Sequence, residues 1–245
     1  TVGVEPGRDR GAPPLHAAGR ADLEELASRL GERAVRDAPL GALTTYRVGG
    51  TASVAVTLGR DADPDTVDAD LEAVKNALEG LAVPVLVLGK GSNLLVADDG
   101  FRGLAVSLGD GFAQVKVEGT TVRAGGAAAL PVVARRTAAA GLTGFEWAVG
   151  VPGSIGGAVR MNAGGHGADM ARNLVRVRLH ELRSGEDGVV SADSLNLGYR
   201  TSSVGADTVV VWAELALEDG DADVSTERIS EIVAWRRANQ PGGPN

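Results

Sequence analysis

Sixteen residues from Gly150 to Gly165 include six glycines and three well-separated polar side chains, Ser154, Arg160 and Asn162. Each glycine inside a helix or strand weakens it by roughly 0.5–1 kcal/mol. A flexible linker would not hold Val151, Pro152, Ile155, Val159 and Met161 so densely. The stretch therefore reads as a tightly bent backbone that lets something approach closely. Pre-aimed N–H groups in such a bend bind anions, most often phosphate. That gives a loop for a nucleotide or a flavin. The other reading is a glycine-rich connection between packed elements.

A second glycine pair, Gly89-Lys90-Gly91-Ser92-Asn93, follows a run of Val and Leu. It offers N–H groups, two polar side chains and one charge, which suits a diphosphate. It is neither a Walker A loop nor a complete dinucleotide fingerprint, and alone it is equally a strand-end turn. Taken together, the two loops read as a clamp on one extended ligand. Tyr199-Arg200, with Ser202 and Ser203, adds a cationic fork for carboxylate or phosphate, or is simply a surface arginine. Thr44-Thr45-Tyr46-Arg47-Val48-Gly49-Gly50 brings hydroxyls, a ring and a charge before two glycines, or makes an ordinary turn. Asn162 can reach a ring or sugar, or cap the backbone. Met161 reads as packing, His166 as a loop residue, and Glu146-Trp147 as a brace for the second loop.

The elements that must position these residues follow from periodicity. Residues 1–20 lack any period and read as disordered. Leu23, Leu26, Ala27 and Leu30 mark a short helix, Ala52 to Leu58 a strand, and Pro64 to about Leu81 a second helix with Val67, Leu71, Val74 and Leu78 on one side. Val83–Leu88 is a buried strand running into the first glycine loop, and ligands favour the carboxyl ends of strands in such βαβ units. Leu94–Val96, Leu104–Val106, Ala113–Glu118 and Thr121–Ala124 read as short strands, with a hairpin turn at Gly119. Residues 130–140 are helical, with Gly141 as the stop. Leu174–His180 alternates as a half-buried strand, which puts Arg176, Arg178 and His180 on a solvated face. Val189-Val190 pairs back across a turn at Ser184-Gly185, Thr208–Leu217 is the last strand, and Ser225–Ala238 closes as a helix.

Composition narrows the function. The chain has 245 residues, 35 of them glycine, with 44% hydrophobic and only 3% aromatic residues, which suits a compact mixed α and β protein. A net charge of −8 without a basic block argues against nucleic-acid binding. There are no cysteines and only three scattered histidines, so no thiolate chemistry and no His or Cys metal site is expected. No apolar run reaches the ~18–20 residues that cross a bilayer, so no membrane partner is expected and the expected compartment is the cytoplasm. The start at Thr1 and the Pro/Gly-rich end after Gln240 read as a fragment.

Four blocks carry a resemblance: Thr44–Gly50; Leu88–Leu95; Gly144-Phe145-Glu146 through Gly150–Ala158 to Met161-Asn162-Ala163-Gly164; and Tyr199-Arg200-Thr201-Ser202. In this order they resemble the UDP-N-acetylenolpyruvoylglucosamine reductase (UDP-N-acetylmuramate dehydrogenase) family, from about residue 40 to the end. The resemblance implies an α+β, p-cresol methylhydroxylase-type FAD-binding fold in two subdomains, 21–108 and 109–219. Residues 220–245 would then lead into a substrate domain that is missing or only begun. It implies NADPH and FAD as cofactors, a UDP-sugar as substrate and a role in peptidoglycan synthesis; a monomer is expected. It puts FAD contacts on Tyr46, Arg47, Gly89, Lys90, Gly91, Ser92, Asn93, Leu94, Gly150, Val151, Pro152, Gly153, Ser154, Gly156, Gly157 and Ala158, and substrate contacts on Asn162, Tyr199 and Arg200, with Arg200 catalytic. Two departures stand out. Gly164-Gly165-His166-Gly167 replaces the family's Gly-Ala-Tyr-Gly. The block carrying the family's proton-donor serine, and a later glutamate, would fall beyond Asn245. The short span from Val211 to Trp235 fits the subgroup without a Tyr-bearing insertion. Another flavin oxidoreductase on this fold, or a non-catalytic FAD-binding module, remains as an alternative.

Overall fold

The computed structural model describes residues 18–61 and 64–240. Helix α1 (Arg20–Leu30) buries Leu23, Leu26, Ala27 and Leu30, the stripe its spacing predicts. The expectation of disorder through residue 20 ends too late: Ala18 is buried and its N–H donates to Arg102 O. Residues 1–17 and 241–245 lie outside the described chain. Strands β1 (Val35–Ala38) and β2 (Ala52–Leu58) pair antiparallel. Helix α2 (Pro64–Leu78) then crosses to β3 (Val85–Leu88), and β4 (Phe101–Leu108) inserts between β2 and β3, parallel to both. The first sheet has the order β1-β2-β4-β3. Alternate residues of β2 (Val54, Val56 and Leu58) join Leu71 and Val74 of α2 and Leu104 and Val106 of β4 in one core.

The second sheet is antiparallel throughout. It starts with the hairpin β5 (Val115–Glu118) and β6 (Thr121–Gly125). Helix α3 (Leu130–Ala139) follows, then β7 (Leu142–Thr143), α4 (Ile155–Arg160), β8 (Gly164–Gly165) and β9 (Ala168–Asp169). The long strands β10 (Leu174–Glu181), β11 (Asp187–Ser191) and β12 (Thr208–Ala216) come next, and β13 (Glu218–Asp219) and α5 (Ala222–Asn239) close the chain. The sheet order is β11-β10-β12-β6-β5. Its inner face packs on α3, α4 and α5 through residues such as Val122, Leu215, Val133, Ile155 and Ile232. Leu182, Val209 and Val211 join the first core, so the two sheets share buried surface.

Three local expectations change. Leu94–Val96 is not a strand: the carbonyl of Ala97 beside it takes the Gly50 and Gly100 N–H groups, so the backbone serves a loop rather than a ladder. The stretch from Gly150 holds a six-residue helix, α4, despite its glycines. Ser154 caps it by accepting from Gly157 N, and Ile155 and Val159 are buried beneath it, so tertiary packing overrides weak propensity. Finally, the Arg176–His180 face is not simply solvated. Arg178 bridges Asp187 of β11 to Asp68 of α2, and the neighbouring His180 is 5% exposed with Nδ1 at 3.0 Å from Asp187 Oδ2. Arg176 and Arg123 flank Glu214 in one cross-strand row, and Arg123 lies over the Trp212 ring.

Leu104 is fully buried on the central strand of the first sheet. Leu104→Ala is expected to destabilise the protein by about 2–5 kcal/mol, measured by urea denaturation.

Candidate functional site

The two glycine-rich turns meet. Ser92 Oγ donates to Pro152 O at 3.0 Å across sixty residues of sequence. A Cβ at Gly89 would sit 2.9 Å from Ser154 Oγ, so a side chain there would push the serine hydroxyl aside. The first turn is carried by the end of β3 and backed by the 43–50 segment. Thr45 N donates to Gly91 O, and Gly91 has φ +65, where a Cβ would collide with Leu43 O. The second turn is carried by α4, which is stitched to the start of α3 by Leu130 N to Gly153 O and Ile155 N to Ala128 O.

Between them lies a cavity of about 500 Å³. Its walls include all of Gly89–Leu94, then Val151–Ser154, Gly157, Ala158 and Arg200, so the structure gathers most of the residues expected to bind FAD. It also recruits Leu130, Arg160, Met161 and Ala163. Met161, read from sequence as packing, thus lines the cavity. Arg160 stood out only as one polar residue in an apolar run.

The free anion donors lie mainly on the first turn, contrary to the first reading of the second loop. The N–H groups of Lys90, Gly91, Ser92 and Asn93 donate to no other group of the described chain, nor do those of Gly153 and Ser154. By contrast, Ile155, Gly156, Gly157 and Ala158 spend theirs on Ala128 O, Gly126 O, Ser154 Oγ and Ser154 O. Among the described residues, the walls carry three cationic side chains, Lys90, Arg160 and Arg200, and no carboxylate. Among the described residues none of the three joins an ion pair. This hollow is therefore positive in an acidic chain, which fits a diphosphate-bearing flavin.

Four expected FAD residues stand elsewhere. Tyr46 and Arg47 are exposed on the segment behind the Gly91 turn and do not line the cavity. Gly150 packs against His166 and Ile232, and Gly156 against Gly126 and Val210. Asn162, expected to meet a ligand, is buried at 4% exposure with its amide hydrogen-bonded inside the chain, and it borders the outer hollow shared by Tyr199 and Arg200. It donates to Asp169 Oδ2 and Gly198 O and accepts from Ala171 N, which fixes the turn holding Arg200. Tyr199 is 91% exposed and borders an adjoining hollow of about 410 Å³ that shares Arg200. Arg200 sits at φ +58, an uncommon conformation for a side chain with a Cβ, and donates from Nη2 to Gly164 O at 3.0 Å. His166 meets Trp235 of α5 edge-on at a 5.1 Å ring separation.

Glu146, expected to brace the second loop, instead fastens its own 143–146 segment to α5. It accepts from Thr143 Oγ1 and Gly144 N, and Ser225 Oγ of α5 lies 2.8 Å away. Burial pushes its pKa up, but its own N–H, Thr143, Ser225 and Gly144 together outweigh that and hold the carboxyl below its ordinary value.

A family model described as FAD binding domain matches residues 63–186. The UDP-N-acetylenolpyruvoylglucosamine reductase of Acidiphilium cryptum is 40% identical over 235 residues, covering 94% of this chain and 70% of that one. The chain belongs to the UDP-N-acetylenolpyruvoylglucosamine reductase family. The Paracoccus denitrificans member is 45% identical over 202 residues, with 82% of this chain and 63% of that protein covered. The crystal structure of the Thermus caldophilus member superposes with a TM-score of 0.70 at 31% identity, covering 86% of this chain and 71% of that one. A berberine bridge enzyme variant, at 12% identity and a TM-score of 0.55, shares the fold alone. The fold is thus the p-cresol methylhydroxylase-type FAD-binding fold of an oxidoreductase family, and the chain spans roughly two thirds of the length of these family members.

Two outcomes follow. Gly91→Ala strains a left-handed turn and collides with the 43–44 backbone. A strain of about 1–2 kcal/mol translates to roughly tenfold weaker FAD binding in a fluorescence titration. Gly188→Ala on exposed β11, where a Cβ meets nothing, leaves binding unchanged. Glu146→Gln is expected to cost about 1–3 kcal/mol at neutral pH. Because the folded pKa is depressed, the carboxylate's contribution is complete above the unfolded value of about 4.3 and fades as pH falls through the lower folded value. The stability gap between wild type and Glu146→Gln should therefore narrow below about pH 4 in denaturation curves.

Proposed function

We propose that this chain is the FAD-binding part of a reductase that converts UDP-N-acetylglucosamine enolpyruvate to UDP-N-acetylmuramate, with NADPH as the reductant, for peptidoglycan synthesis in the cytoplasm. The observation that carries this reading is the cavity joining both glycine turns to Arg200, with three cations and no carboxylate among the described residues of its walls. FAD, when bound, supplies hydride transfer between NADPH and the enolpyruvyl double bond.

The chain's own residues divide the remaining work. The N–H groups of Lys90–Asn93, with Gly153 and Ser154, suit the cofactor diphosphate, and the Lys90 ammonium adds long-range attraction. Leu88, Leu130, Val151, Ala158 and Met161 provide apolar walls that exclude water around a planar ring. Arg200 stands where the two hollows meet, held by the bond to Gly164 O and by the turn that Asn162 fixes. Its remaining N–H donors suit the substrate carboxylate and the negative charge that grows beside it as hydride arrives. Such stabilisation acts where charge develops and is worth about 10²–10³ in rate. Tyr199, bordering the outer hollow beside Arg200, suits the sugar-nucleotide side of the substrate.

The experiment is rapid-mixing kinetics on full-length Arg200→Ala. Flavin reduction by NADPH is expected to stay near the wild-type rate, while reoxidation by the enolpyruvyl sugar slows roughly 10²-fold. Equal slowing of both half-reactions, or a wild-type protein that takes up no FAD, would sink the proposal.

A further inference from the structure

Arg160 has no role in the proposed reaction so far, yet it is the best-anchored cation in the cavity wall. Its Nη1 donates to Val204 O at 2.7 Å and also to Gly205 O. Its own carbonyl accepts from Ser202 Oγ at 2.7 Å. Residue 160 therefore clasps the 202–205 segment from both its backbone and its side chain, directly after the Arg200 turn. Carbonyls orient a guanidinium without neutralising it. Nε and Nη2 donate to no group of the described chain, and no ion pair among the described residues includes Arg160. A half-buried, rigid, unneutralised cation is costly unless an anion meets it.

Position indicates which anion. The free N–H groups suited to a diphosphate lie at Lys90–Asn93 and at Gly153–Ser154, before α4. Arg160 ends that helix, about 9 Å further along at 1.5 Å per residue. It shares its wall with Arg200, at the reacting end of the cavity in the proposed reading. The diphosphate is thus served by other groups, and the group that gains charge at this end is the ring system of the cofactor. An oxidised flavin that accepts two electrons and one proton becomes an anion. A fixed cation nearby favours that product over the neutral oxidised ring.

We infer that Arg160 holds the negative charge of the reduced flavin and so raises the reduction potential of bound FAD. This rests on the reading that FAD occupies the cavity with its ring towards Arg200. The positive potential is delivered by the guanidinium, and the Val204 and Gly205 carbonyls fix its place.

The test is the two-electron midpoint potential of the FAD-loaded protein, measured against a reference dye during slow reduction with dithionite, together with the dissociation constant of oxidised FAD. Arg160→Gln is expected to cut the preference for reduced over oxidised flavin about tenfold or more, a drop of about 30 mV for two electrons. Arg160→Lys keeps the charge and is expected to recover more than half of that drop. Arg135→Gln, which removes a charge from the outer face of α3, leaves the potential unchanged. An unchanged potential in FAD-bound Arg160→Gln overturns the inference. So does a lysine variant that falls as far as the glutamine one, and so does loss of FAD binding in both, which makes Arg160 a structural clasp only. Failure of the wild type to bind FAD would instead overturn the proposed function itself.

Discussion

The hydrogen bond from Ser92 Oγ to Pro152 O joins two turns that belong to different sheets. The first turn extends β3 of the parallel sheet. The second leads into α4, which packs on β6 and β12 of the antiparallel sheet. Without close contact at this point, each sheet would present half of a cavity. The approach is close: a Cβ at Gly89 would sit 2.9 Å from Ser154 Oγ. The shared core of the two sheets, with Val209 and Val211 packed among the residues of the first, holds them in the register that this bond needs.

The same constraint explains where polar groups are spent. A turn that binds an anion must leave its N–H groups unmade, and unmade backbone donors are tolerated only where solvent or a ligand can reach them. The Lys90–Asn93 groups meet that condition at the open end of β3. The α4 groups do not, because they are consumed in fastening α4 to Ala128 and Gly126. The glycines at 156 and 157 therefore serve the packing and capping of a short helix as much as any ligand.

Charge is managed in the same way. The chain carries −8 overall, yet every acidic ion pair in the described residues lies outside the cavity wall. Lys90, Arg160 and Arg200 are held by carbonyls or stand free, which preserves their field in a partly enclosed hollow where it is weakly screened. Around this hollow the supports are polar: Glu146 ties the 143–146 segment to Ser225 of α5, and buried Asn162 ties α4 to the Arg200 turn. These fully bonded groups fix direction rather than add large net stability.

The amphipathic stripe of α1, the strand β2, the α2 crossover, the β5–β6 hairpin and the two glycine turns were legible in the residues themselves, because period and turn chemistry are short-range properties. The family, too, was legible from four short blocks in order. What the residues alone left open was long-range. Helix α4 forms where propensity argues against it, because Ile155 and Val159 find a core to enter. Asn162 turns inward because Asp169 and Gly198 come within reach. His180 is buried where Asp187 and the neighbouring Arg178–Asp68 bridge close over that end of the strand. Arg160 becomes a cavity cation only because the 204–205 carbonyls, more than forty residues away, hold it there. Sequence determined which groups could bind an anion; tertiary structure decided which of them remain free to do so, since a donor's availability depends on every neighbour that could use it first.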